Sequence, residues 1–145
     1  MVGVPITTDE KREALGRLPL FAGISAESLD RLGEVAGEQQ FDSGDYIVRQ
    51  GQVGSGLYIV LEGEVSVVRG STELARLTVG DFIGELAVID QQPRLASVRA
   101  ETATRCLAVA SWDLIRLLEA DPALALNMIR GLVARLRLAG ESHRH

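Results

Sequence analysis

Cysteine is almost missing from this chain. Cys106 is the single one in 145 residues, so neither an internal disulfide nor a Cys-x-x-Cys metal site can form. A reduced, cytoplasmic compartment is therefore the expectation. Lysine is as scarce: Lys11 stands alone against fourteen arginines, and it follows Glu10 rather than a glycine. A P-loop needs Lys directly after its last Gly, which excludes that motif. The only histidines, His143 and His145, lie in the last three residues. A Ser-His-Asp triad, a His-ligated zinc and a metal-binding jelly roll all need His inside the fold. No window approaches 18 consecutive apolar residues, so no segment of the sequence reads as a bilayer span. Asp9 and Glu10 stand where a signal peptide needs apolar residues, and no export signal is expected. Basic charge is in deficit, with 20 acids against 15 bases and a net charge of −5. Dedicated nucleic-acid binders carry a basic surplus instead. These absences leave no support for an enzyme, a catalytic residue, a metal site, a cofactor or a membrane partner.

What is present reads as one domain, residues 1–145, with 46% hydrophobic and 24% charged residues. Residues 1–38 read as helical. Ser25 is placed to cap a helix carrying Leu29, Leu32, Val35 and Ala36, with Gly37 as its end. Leu15, Leu18, Leu20 and Phe21 predict a short helix or turn beside it. Residues 39–110 read as short strands: Tyr46–Val48, Leu57–Leu61, Val65–Val68, Ala96–Ala100 and Thr104–Ala110. Glycines punctuate them at Gly44, Gly51, Gly54, Gly56, Gly63, Gly70 and Gly80, a spacing that predicts an antiparallel sandwich or barrel. Residues 111–140 read as two helices. Ser111 is expected to cap the first, which carries Trp112, Leu114, Ile115, Leu117 and Leu118 toward the core. Asp121-Pro122 opens the second. Its Leu126, Ile129, Val133 and Leu136 form a narrow apolar seam. That seam suits the same helix of a second chain, the mouth of a ligand pocket, or this domain's own core.

One segment breaks the strand pattern. In Gly80–Ala100, Gly84 is a backbone pivot, Glu85–Ile89 can form one or two helical turns, Pro93 ends any helix, and Arg94 opens the next strand. A helix N-terminus facing a cavity suits an anion. An arginine returning across that cavity adds a charged fork. A carboxylate at Glu85 would repel a phosphate, but would accept hydrogen bonds from a neighbouring pair of hydroxyls. A sugar beside a phosphate satisfies both.

Here the segment resembles the phosphate-binding cassette of the cyclic nucleotide-binding domain family, of the catabolite activator protein and cyclic-AMP-dependent kinase regulatory subunit type. The matching residues are Phe82-Ile-Gly-Glu-Leu-Ala-Val and Pro93-Arg-Leu-Ala-Ser-Val-Arg-Ala. Phe41–Gly51 and Leu57–Val65 resemble the preceding strand pair and hairpin, so the likeness runs over about residues 18–140. The fold it implies is mainly β with flanking α: an antiparallel jelly-roll β-barrel, or double-stranded β-helix. An N-terminal helical segment, a short phosphate-binding helix and two C-terminal helices complete it. The resemblance implies a ligand site of Phe82, Ile83, Gly84, Glu85, Leu86, Ala87, Pro93, Arg94, Leu95, Ala96 and Ser97. In it, Glu85 takes the ribose 2′-hydroxyl beside the Gly84 backbone. The N–H groups of Leu86 and Ala87 meet phosphate oxygens, Arg94 pairs with the phosphate, and the backbone at Leu95 and Ala96 closes the site. The family commonly has a small residue after the cassette arginine, and a hydroxyl there favours cyclic GMP. Leu95 has none, which implies cyclic AMP ahead of cyclic GMP. The expected protein is a cytosolic sensor that signals through its last helix, as a homodimer or toward an effector protein. Only Glu141–His145 follow that helix, so direct DNA binding by this chain is not expected. The alternatives are the sensor half of a catabolite-activator-type transcription regulator, and a fold that has lost its ligand and serves as an interaction module.

Overall fold

The computed structural model describes residues 7–53, 56–84 and 93–142, and all their side chains except those of residues 135 and 139–142. Three helical pieces come first. Thr7 starts α1 (Thr8–Gly16): its hydroxyl accepts from the Glu10 N–H at 3.1 Å, and its own N–H donates to the Glu10 carboxylate at 3.3 Å. This reciprocal pair satisfies two donors that a helix start leaves open. A 3-10 turn spans Pro19–Phe21. Ser25 caps α2 (Ala26–Val35) as expected, accepting from Ser28 N–H at 3.1 Å. The expected end at Gly37 is two residues late. Gly37 opens β1 (Gly37–Phe41) because its register opposite Ala108 draws it into a sheet, and Lys11 Nζ holds the preceding Ala36 carbonyl at 2.7 Å.

The remaining strands are β2 (Tyr46–Val48), β3 (Gly56–Glu62), β4 (Val65–Arg69), β5 (Thr72–Leu77), β6 (Phe82–Ile83), β7 (Ser97–Ala100) and β8 (Thr104–Ala110). All pair antiparallel in two four-stranded sheets, ordered β1-β8-β3-β6 and β2-β7-β4-β5. This order is that of the jelly roll the family resemblance implied. β3 is buried on both faces: Leu57 and Ile59 pack with the helices, while Val60 packs with Val65, Val98 and Cys106 between the sheets. That double burial is why β3 reads as an unbroken apolar run instead of an alternating one.

β8 runs directly into α3 (Ser111–Ala120). Ser111 is not its cap: Ala110 takes that position with no side-chain bond, because Ala110 is still paired with Gly56 in the sheet. Trp112 is also not core. It is 64% exposed, whereas Leu114 and Leu117 are sealed. At about 100° per residue, Trp112 falls on the opposite side of the helix from that pair.

Asp121 then starts α4 (Pro122–Ser142) as the Asp-Pro signal predicts. One Asp121 oxygen accepts from Ala123 N–H at 3.1 Å and the other from Ser25 N–H at 2.9 Å, so a single buried carboxylate joins the starts of α2 and α4. The Ser25 backbone bond, ahead of bonds from Ser28 and Ala123, holds its pKa below the usual value despite the opposing effect of burial. Leu124 and Met128 face the core. Asn127 Nδ2 donates to the carbonyls of Leu20 and Ala22 at 3.0 and 2.7 Å. Leu126, Ile129, Val133 and Leu136 face outward, with 41% to 71% of their surface exposed. The seam therefore does not cover the domain's own core.

Candidate functional site

Phe82 and Ile83 are consecutive strand residues, so their side chains point to opposite faces. Phe82 packs with the helices and Ile83 between the sheets, and both are buried. The backbone then turns at Gly84, where φ is +93°. L side chains rarely adopt that conformation. Space forbids one as well: a Cβ on Gly84 would lie 2.8 Å from the Gly56 carbonyl oxygen and would collide with Arg94 Nη1.

Arg94 meets Gly84 from across the chain. It is 7% exposed, and its Nη2 donates to the Gly56 carbonyl at 3.0 Å. Burying a guanidinium is costly unless its donors are paired, and the Gly56 carbonyl supplies one such partner. Its backbone is equally constrained. Arg94 N–H donates to the Gln52 carbonyl, and Gly51 N–H donates to the Arg94 carbonyl, both at 2.9 Å. Pro93 and Leu95 are exposed, while Ala96 and Ser97 are half-buried. Ser97 Oγ accepts from Gln50 N–H at 2.8 Å as β7 begins.

Of the expected site residues, Phe82, Ile83, Gly84, Pro93, Arg94, Leu95, Ala96 and Ser97 lie on two chain segments that converge where Arg94 meets Gly84. Glu85, Leu86 and Ala87, with the short helix expected there, lie outside the described residues. Sequence reasoning missed Gly56, taken only as a turn glycine, whose carbonyl receives the buried guanidinium. It read Gly51 likewise only as a turn glycine and missed the hold of its turn on the Arg94 backbone. No local pattern marks either, because both act through backbone groups.

A hollow of about 440 Å³ lies behind Phe82 between Pro19, Val79, Asp81, Asn127 and Arg130. It shares only Phe82 with the expected site and has no buried cation. Among the described residues, no group of three or more His, Cys, Asp and Glu could hold a metal ion. No described helix is long and apolar enough to cross a membrane.

Comparison with known proteins bears directly on this arrangement. Residues 38–121 match the family model of the cyclic nucleotide-binding domain. The potassium/sodium hyperpolarization-activated cyclic nucleotide-gated channel 1 of Homo sapiens is 30% identical over 132 residues, which is 91% of this chain and 15% of the channel. This chain therefore spans a small part of the curated channels it matches. The crystal structure of the Thermus thermophilus catabolite activator protein is 33% identical. It superposes with a TM-score of 0.76 over 86% of this chain and 61% of that one. The regulatory domain of Toxoplasma gondii PKA, crystallised with cAMP, is 26% identical with a TM-score of 0.76, over 86% and 49%. The family match covers more than half of the chain and includes both the Gly84 turn and Arg94, and on that ground the chain belongs to the cyclic nucleotide-binding domain family.

Proposed function

We propose that this chain is a regulatory sensor, not an enzyme, that binds a cyclic nucleotide at the Gly84–Arg94 junction and prefers cyclic AMP to cyclic GMP. The observation that carries the reading is the buried Arg94 guanidinium, pressed against a turn where only glycine fits. A planar cationic fork in a dry site suits a phosphate monoanion. Glu85 takes the ribose 2′-hydroxyl, and the N–H groups of Leu86 and Ala87 meet the phosphate. Leu95, 65% exposed at the site's edge, offers guanine no hydroxyl. The outward seam of α4 transmits the bound state, by pairing with a second copy or by meeting an effector. The sensor part of a longer transcription regulator is a second reading, favoured by the likeness to the Thermus catabolite activator protein; reading the gene beyond His145 decides it.

The test compares Arg94→Ala with Arg99→Ala by calorimetry with cyclic AMP and cyclic GMP. Arg99 also lies after Pro93 but pairs with Glu101 at 3.0 Å in a half-buried ion pair. A charged hydrogen bond contributes about 1.5–3 kcal/mol, so Arg94→Ala should weaken binding roughly 10- to 150-fold and Arg99→Ala very little. Equal affinities for the Arg94 variant and wild type would overturn the assignment.

A further inference from the structure

The peptide after Arg94 lies beyond the end of its sheet. The β4–β7 ladder runs from Val65↔Ala100 to Val68↔Ser97 and stops. Residues 93–96 leave the sheet, and their backbone groups need other partners. The turn at Gln50–Gln52 supplies two, through Arg94 N–H and the Arg94 carbonyl. The next carbonyl, that of Leu95, is taken by a side chain: Arg69, the last residue of β4, donates from Nε at 3.2 Å. A guanidinium here extends the ladder by one rung after backbone pairing has ended. The neighbours reinforce it. Gly70 N–H donates to Gln50 Oε1 at 3.2 Å, and Gln50 N–H donates to Ser97 Oγ at 2.8 Å. The end of β4, the turn and the start of β7 are thereby tied around the segment that carries Arg94.

That segment has little slack. The Leu95 carbonyl is one residue from Arg94, whose guanidinium is already wedged between Gly84 and the Gly56 carbonyl. With the carbonyl released, the Leu95–Ala96 peptide can rotate while the turn still holds the Arg94 backbone, so the guanidinium is shifted slightly from its bound position, not freed. Misplacement of this kind weakens an interaction without removing either partner. We propose that Arg69 is a positioning residue. By holding the Leu95 carbonyl it fixes the Arg94 peptide, and through it the fork that receives the anionic group of the ligand. The inference rests on the cyclic nucleotide reading of the Arg94 site and names a residue outside the cassette as a determinant of its affinity.

The test is a double-mutant cycle of wild type, Arg69→Ala, Arg94→Ala and the double variant. Calorimetry with cyclic AMP and cyclic GMP at about 0.05 and 0.5 M salt reads affinity. Thermal melting of each variant reads folding. Arg69→Ala should weaken binding about 3- to 10-fold, equally at both salt concentrations and with the melting temperature nearly unchanged. The loss should largely vanish in the Arg94→Ala background. Unchanged affinity in Arg69→Ala overturns the proposal. So does a loss that persists in full without Arg94, which would mean Arg69 acts independently. A loss that disappears at high salt also overturns it, since the charge would then only attract the ligand. Wild type that binds neither cyclic nucleotide removes the reading of the site and this inference together. Wild type that binds, matched by Arg69→Ala, removes this inference alone.

Discussion

Gly84 and Gly44 have nearly the same backbone conformation, with φ of +93° and +94°. They differ in what surrounds them. A Cβ on Gly44 meets nothing within 4 Å, whereas one on Gly84 lies 2.8 Å from the Gly56 carbonyl oxygen and collides with the Arg94 guanidinium. Alanine at each position therefore separates strain from contact. Strain common to both costs about 1–2 kcal/mol. For a chain of this size that lowers the melting temperature by roughly 2–8 °C in Gly44→Ala. Gly84→Ala carries the same strain plus the overlap. The Gly56 carbonyl is fixed in β3, so Arg94 must give way and lose its bond. Overpacking and an abandoned buried donor add about 1–3 kcal/mol each, several further degrees. Ligand affinity should separate more sharply. Gly44→Ala should bind cyclic AMP like wild type, while Gly84→Ala should lose at least about tenfold as Arg94 is displaced. Scanning calorimetry and titration of both variants read the two effects. Equal melting temperatures and equal affinities for the two variants would refute the close approach at Gly84.

The Asp121 carboxylate is held below its usual pKa, so its stabilisation is present above the ordinary carboxylate range and lost as pH falls through the folded-state value. Asp121→Ala should cost about 0.5–2 kcal/mol near pH 7, with the gap to wild type narrowing in acid; a gap independent of pH between about 2 and 7 would contradict this. Burial pushes the Cys106 thiol up to about 12. Thiol reagents should label the native protein only at its opening rate, accelerating with denaturant, and prompt labelling without denaturant would count against a sealed strand. The seam on α4 runs along a helix of 21 residues, roughly 32 Å at about 1.5 Å per residue. Val133→Glu with Leu136→Glu should leave the domain folded but convert a dimer to a monomer in light scattering and alter cyclic AMP affinity. A wild type already monomeric at high concentration, with affinity indifferent to both changes, would dismiss the seam as either contact.

Local chemistry was enough to locate much of this protein. Ser25 and Asp121-Pro122 are helix starts because their side chains reach backbone donors within a few residues. The runs at Tyr46, Leu57, Val65 and Thr104 are strands because apolar residues between glycine turns have one way to bury themselves. The break in the strand pattern between Phe82 and Ser97 is legible for the same reason, since Gly84 and Pro93 interrupt it locally; the ligand roles given to that segment came with the family resemblance. The capping box at Thr7–Glu10 was equally local and was passed over. Other features depend on what arrives from elsewhere in the chain. β1, with its polar Glu38, Gln39 and Gln40, is a strand because β8 offers it a ladder. β5 is an edge strand, exposed except at Leu77, that exists through its pairing with β4. Gly37 is drawn out of α2, and Ser111 is denied its cap, by sheet pairing that no helix signal encodes. Trp112 looks like core until the helix packs with its other face inward. At the site, the sequence alone named Gly84 and Arg94 but could not say that they touch. That contact needs β3 to bring the Gly56 carbonyl to Arg94, and β4 to bring Arg69 to the Leu95 carbonyl. Both are long-range approaches between backbone and side chain, and only the closed tertiary structure decides them.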